Sequence, residues 1–254
     1  MTGNKKCLIL YLILAFTTPL LMVLAQSKIS DSTICFILYG IQAAAPSISA
    51  IVVFALNKEL KTTISRSFRK DHLISSVLLP IVIVCAVMIP AKLIYSLFFS
   101  ESGSFWGTVS QKQCIIILWA ILAEELGWRG YLEPELNRLG INRRLVPGIV
   151  GLIWCAWHYH YFLQNGNEIP LYFFLPSCII ESYIYSALMR FTKANIVSVM
   201  FLHFIYNLMI HVVAINPSDN NGSIVPYMLM IIMEFAILVL MLLIEKLSFR
   251  RFLP

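Results

Sequence analysis

Apolar runs long enough to cross a bilayer recur from end to end of this sequence, and no polar stretch between them is long enough to fold alone. A helix needs about 20 apolar residues to span roughly 30 Å of hydrocarbon. Such runs lie near 7–25, 33–56, 73–99, 113–136, 145–163, 169–190, 194–214 and 225–247, separated by short polar or turn-rich segments such as 57–71 and 216–223. Only 13% of the 254 residues are charged and 59% are hydrophobic, whereas about a quarter are charged in a soluble domain. The expected fold is all-α, a single integral membrane domain over residues 1–254 with about eight transmembrane helices.

The net charge of +6 is informative through its distribution. Of the 19 Lys and Arg, 15 fall before span 1, in alternate loops, or at the end of span 8. The opposite loops hold only Lys28 and Lys112, and Lys92 and Arg129 lie inside spans. This skew places both termini and the basic loops in the cytoplasm, and it needs no nucleic-acid partner. Lys5 and Lys6, an apolar stretch and then Val23-Leu24-Ala25 resemble a signal peptide, but the stretch is about 18 residues against a usual 7–15, so an uncleaved anchor is expected. The six cysteines form no Cys-x-x-Cys pair, so neither a disulfide framework nor a zinc knuckle is indicated.

Against this apolar background, Glu124, Glu125 and Arg129 stand inside one span. Each costs roughly 2.5–3.5 kcal/mol at mid-bilayer on insertion scales, so each calls for a partner, a watery cavity or a chemical role. Glu125 and Arg129 are spaced i, i+4 and can pair, whereas Glu124 points about 100° away and lacks an in-helix partner. Two other spans carry matching groups on one face each, Trp154 with His158 and His203 with Asn207. At 1.5 Å per residue, Glu124, His158 and His203 lie about 18, 20 and 14 Å from the cytoplasmic ends of their helices, close to one level. Glu234 and Lys92 also match in depth and are expected to pair, while Glu181 is expected to face the cavity. Cys155 reads as core rather than a nucleophile beside His158. His72, His160 and His211 carry no assignment.

In order and spacing, Glu124-Glu125-Leu-Gly-Trp-Arg129, Trp154-Cys-Ala-Trp-His158 and His203-Phe-Ile-Tyr-Asn207 resemble the three motifs of the CAAX protease and bacteriocin-processing family of intramembrane endopeptidases. The similarity runs over about 113–214, the expected catalytic core, and Trp154 stands where Phe is usual. The resemblance implies that Glu124 is a general base activating water, assisted by His158. It implies that His203 and Asn207 form the oxyanion site, and that Glu125, Arg129 and Trp154 support its geometry. No cofactor is implied. The substrate would be a peptide or membrane protein reached from the lipid bilayer or the cytoplasmic side, and the compact size and short loops point to a prokaryotic cell membrane.

Two other chemistries use the same residues. Glu124, His158 and His203 could ligate a catalytic zinc ion, since two His and a carboxylate suit that metal. Alternatively, the buried acid and histidines could serve a transporter or proton relay, which discontinuous helices at the acidic site would support. A non-catalytic immunity protein that keeps the motifs for stability is a further reading. Nothing in the sequence fixes the oligomeric state.

Overall fold

A computed structural model describes residues 4–69, 72–99, 104–166 and 168–250. Lys70 and Arg251, two of the basic residues counted above, lie outside the described residues. The described chain is helical, and each apolar run is one helix or a broken succession of helices. In order these are α1 (Lys5–Gln26), α2 (Ser32–Ala43), α3 (Ala45–Leu56), α4 (Leu60–Ser67), α5 (Leu73–Phe98), α6 (Gln111–Ala123) and α7 (Glu125–Gly127). A π-helical turn (Trp128–Leu132) then leads into α8 (Glu133–Arg138), α9 (Val146–Trp157), α10 (Tyr159–Asn165), α11 (Leu171–Phe191), α12 (Ile196–Val212) and α13 (Val225–Arg250).

By length and apolarity, five of these helices can each cross a membrane, or six spans if the bent pair α2–α3 counts as one. The sequence reading has about eight. The difference lies in the passes at 113–136 and 145–163, which are helical but interrupted. One breaks at Glu124, between α6 and α7, and the other at His158, between α9 and α10.

The basic segments gather at one end of the bundle. Asn4, Asn57, Glu59, Glu135 and Arg138 line one polar pocket there. The Asn195 amide donates to the Arg69 carbonyl at 2.8 Å, and Arg143, Arg144, Arg190 and Lys246 share a groove. At the other end the 104–110 segment meets the end of α12, where the Gly107 N–H donates to the Val212 carbonyl. The Ser218 N–H likewise donates to Glu168 at 2.6 Å. The alternation of basic and non-basic loops is thus a real partition in space.

The first three passes brace the motif-bearing half. Pro19 has no N–H to donate to the Ala15 carbonyl one turn earlier, and that carbonyl instead accepts from the Trp157 indole at 3.0 Å. The next carbonyl, Phe16, accepts from the Tyr159 hydroxyl at 2.6 Å. Tyr11 is fully buried against Trp128 and Tyr131. Helix α1 is therefore bonded into the core along its middle.

The α2–α3 pair bends by 61°, just before Pro46 in the first turn of α3. This corner meets the broken fourth pass at Gly127, where a Cβ would sit 2.5 Å from the Pro46 carbonyl carbon and 2.6 Å from its oxygen. Only glycine permits that backbone approach. We expect Gly127→Ala to cost roughly 1–3 kcal/mol of stability, because backbone cannot repack as a side chain can. Gly40→Ala, whose Cβ would meet only the Trp119 Nε1 at 3.8 Å, should unfold near the wild-type temperature in detergent.

Candidate active site

Glu125 and Arg129 form the ion pair that their spacing predicts. Arg129 Nη1 donates to both carboxylate oxygens of Glu125 at 3.1 Å, and both side chains are fully buried. The guanidinium is held between two ring faces, 4.4 Å from the Tyr185 centroid and 5.0 Å from that of Trp154. His203 completes the cluster from α12, its Nδ1–H donating to Glu125 Oε1 at 2.8 Å. One carboxylate thus joins the fourth pass to α12. The stacked cation adds α9 and α11.

Glu124 has partners that its sequence position concealed. The helix breaks at this residue, with φ −121° and ψ −42°. Its Oε2 accepts from the Trp154 indole at 2.8 Å and from the Trp128 indole at 3.3 Å. The expectation that Glu124 lacks an in-helix partner is therefore corrected, since Trp128 is four residues on and indole N–H groups can donate. Trp154 also does more than pack beside His158, and a Phe there would have no N–H to offer. Oε1 remains, 4.0 Å from His203 Nε2.

His158 owes its orientation to the second break. At the end of α9 its own backbone N–H bonds the Cys155 carbonyl, which leaves the Trp154 carbonyl without an i+4 donor. The His158 ring fills that gap, with Nδ1 2.8 Å from the Trp154 oxygen. A carbonyl only accepts, so Nδ1 carries the hydrogen and Nε2 is the basic atom of the neutral ring. The His158 and His203 rings flank Trp154 at 5.7 and 5.8 Å between centroids.

Glu124, His158, His203 and Asn207 all line one cavity of about 360 Å³. Depth matching thus brings together the residues it selected. Glu181 also faces this space, as expected, and so do His211 and Tyr206. Among the described residues, no group of three or more His, Cys, Asp and Glu is arranged to hold a metal ion. An apolar groove between α2 and α6, walled by Phe36, Ile37, Ile115 and Leu118, shares Tyr39, Ile116 and Trp119 with the cavity.

Glu234 does not pair with Lys92. The Lys92 ammonium donates to the Ala214 carbonyl at 2.9 Å and to Asn220 Oδ1 at 2.6 Å. Glu234 instead lies beside Glu181, and the Ser177 hydroxyl is within reach of both carboxylates, at 3.1 Å from Glu181 and 3.3 Å from Glu234. A residue count along each helix says nothing of which way a helix faces. Cys155 is buried core with its thiol against Cys178. His160 belongs to a buried amide network, Nδ1 2.7 Å from Gln42 Nε2.

Arg129→Met should destabilise the protein by about 3–5 kcal/mol, because it strands a buried carboxylate. Arg129→Lys should restore only part of this, since an ammonium can meet both oxygens as Nη1 does but cannot stack its flat face between two rings. Thermal unfolding in detergent measures both.

Comparison with known proteins agrees with the motifs. Residues 113–209 match the family model described as type II CAAX prenyl endopeptidase Rce1-like. A curated relative, CAAX prenyl protease 2 of Methanococcus maripaludis, is 24% identical over 208 residues, covering 72% of this chain and 74% of the relative. Through residues 113–209 the chain is similar to the CAAX protease family that its three motifs resemble.

Proposed function

We propose that the protein is an intramembrane endopeptidase of a prokaryotic cell membrane, with Glu124 as general base. The supporting observation is the division of labour on that carboxylate. Two indole N–H groups fix Oε2, while Oε1 faces His203 across the mouth of the cavity. A positioned carboxylate with one uncommitted oxygen can take a proton from water as the water adds to a peptide carbonyl. His158 Nε2 steadies the same water. The negative charge that develops on the carbonyl oxygen is met by the Asn207 amide and by His203 Nε2–H. With Nδ1 committed to Glu125, that second donor exists only when His203 is the imidazolium. As the tetrahedral intermediate collapses, the proton held by Glu124 passes to the departing amine and the C–N bond breaks.

The relative's name concerns CAAX prenyl proteins, and here we propose the broader class of peptide or membrane-protein substrates. The groove between α2 and α6 offers such a substrate a lateral path from the bilayer into the cavity. With the basic end of the bundle in the cytoplasm, both termini lie there.

The direct test is cleavage of a fluorogenic peptide panel by purified protein. Glu124→Gln and His158→Ala should each lower kcat by about 10²–10⁴-fold, and turnover that survives both substitutions refutes the mechanism. Trp154→Phe should lower kcat roughly tenfold or more with little change in KM, the effect of removing one hydrogen bond to a charged group. Replacing Trp154 with benzothienylalanine, which keeps the ring shape but puts sulfur in place of N–H, should reproduce that loss. Normal turnover in this variant would reduce Trp154 to packing. If zinc is the catalyst on these residues, chelation abolishes turnover and zinc restores it.

One observation favours the transporter reading. The helices break at the acidic site, as they do where transporters bind ions. Proton or cation flux into liposomes, lost in Glu124→Gln and unaccompanied by peptide cleavage, would support it.

A further inference from the structure

Away from the cavity, at the basic end of the bundle, three segments enclose a groove of about 740 Å³ lined by Arg143, Arg144, Pro147, Tyr183, Arg190, Leu242, Glu245 and Lys246. Its charge is unbalanced. Arg190 is spent on Glu245, in a two-point ion pair at 2.6 and 3.0 Å that ties α11 to α13. Arg143, Arg144 and Lys246 are exposed and make no ion pair among the described residues. Three cations therefore face one space with no acid among the described residues paired to them.

The groove is also layered. On α13, Leu242 lies one turn deeper into the helix than Lys246, and on α11 Tyr183 lies two turns deeper than Arg190. Arg143 precedes α9, and Pro147 is in that helix's first turn. All three walls thus carry charge at the rim and apolar surface further in. The floor is fixed, because the Tyr183 hydroxyl donates to the Arg144 carbonyl at 2.8 Å. It passes over Gly148, where a Cβ would come within 3.1 Å of the hydroxyl oxygen. A soluble anion needs only the rim. A charged rim above an apolar wall matches a molecule with a phosphate at one end and a hydrocarbon chain at the other.

We propose that this groove binds an anionic phospholipid, its phosphate among Arg143, Arg144 and Lys246 and an acyl chain along Pro147, Tyr183 and Leu242. The location fits, since basic loops face the cytoplasm and anionic lipids give that leaflet its negative surface potential. The site is independent of the peptidase reading, because it shares no lining residue with the catalytic cavity.

The test is native mass spectrometry of the full chain released from nanodiscs containing equal dioleoylphosphatidylglycerol and dioleoylphosphatidylcholine. Wild type should retain the anionic lipid in preference, and millimolar inorganic phosphate should not displace it. Arg143→Gln, Arg144→Gln and Lys246→Gln together should reduce the preference by at least about tenfold. Arg143→Lys with Arg144→Lys should keep most of it and serves as the folding control. Equal retention of the two lipids by wild type, or full preference in the triple variant with its fold intact, overturns the proposal. Displacement by inorganic phosphate overturns it in favour of a soluble-anion site.

Discussion

The buried ion pair of Arg129 and Glu125, one guanidinium nitrogen against both carboxylate oxygens, is the interaction on which the arrangement of this protein rests. In a low-dielectric interior neither charge is tolerable alone, and their attraction offsets desolvation only if geometry and remaining polar atoms are satisfied. The neighbours serve part of that need, although Arg129 Nε and Nη2 have no hydrogen-bond partner among the described residues. His203 takes one carboxylate oxygen from α12, and the rings of Trp154 and Tyr185 cover the guanidinium faces from α9 and α11. Four elements are thereby fixed to one ion pair. With Glu125 and His203 Nδ1 locked, the orientation of His203 Nε2 towards Glu124 follows.

The site is built where helices fail, and each failure is repaired locally. A backbone polar group left unpaired in hydrocarbon costs several kcal/mol by typical estimates, so a broken span must find substitutes. At the end of α9 the substitute is a side chain, and the same bond that satisfies the Trp154 carbonyl also selects the His158 tautomer. At Pro19 it is the Trp157 indole. At Glu124 the chain resumes through one short turn and a widened π turn, a form common near functional sites. Gly127 lets the bent corner at Pro46 close over the gap. Structural repair and placement of the reactive groups are here the same bonds.

Much of this was legible because helical spacing is a strong constraint. The i, i+4 relation between Glu125 and Arg129 needed no tertiary information, and depth counting brought Glu124, His158 and His203 to one level in a common cavity. The failures share a cause. Lys92 and Glu234 were matched by residue count on neighbouring helices, yet a count leaves rotation about the helix axis free, and each turns towards a different partner. The indole donors on Glu124 were missed because tryptophan in an apolar run reads as bulk, and nothing in spacing reveals where an N–H points. The interruptions at Glu124 and His158 were invisible for a similar reason. Neither position carries proline or glycine, so the break is imposed by tertiary bonds rather than by local propensity.

Under the proposed reading, the reacting groups and the walls that would select a substrate come from different parts of the chain. The matched segment 113–209 holds every motif residue, but the cavity is closed by groups outside it, including Tyr39 and Ala43 from α2 and Tyr227 and Met230 from α13. The lateral groove is likewise half built from α2, through Phe36 and Ile37. Helix α2 is held against α10 by the Gln26, Gln42, Gln164 and His160 network, so its position depends on amides that belong to no motif. A relative can therefore share the reacting groups and still admit a different peptide. Selectivity should then change with substitutions along α2 that leave Glu124 and its indole donors untouched.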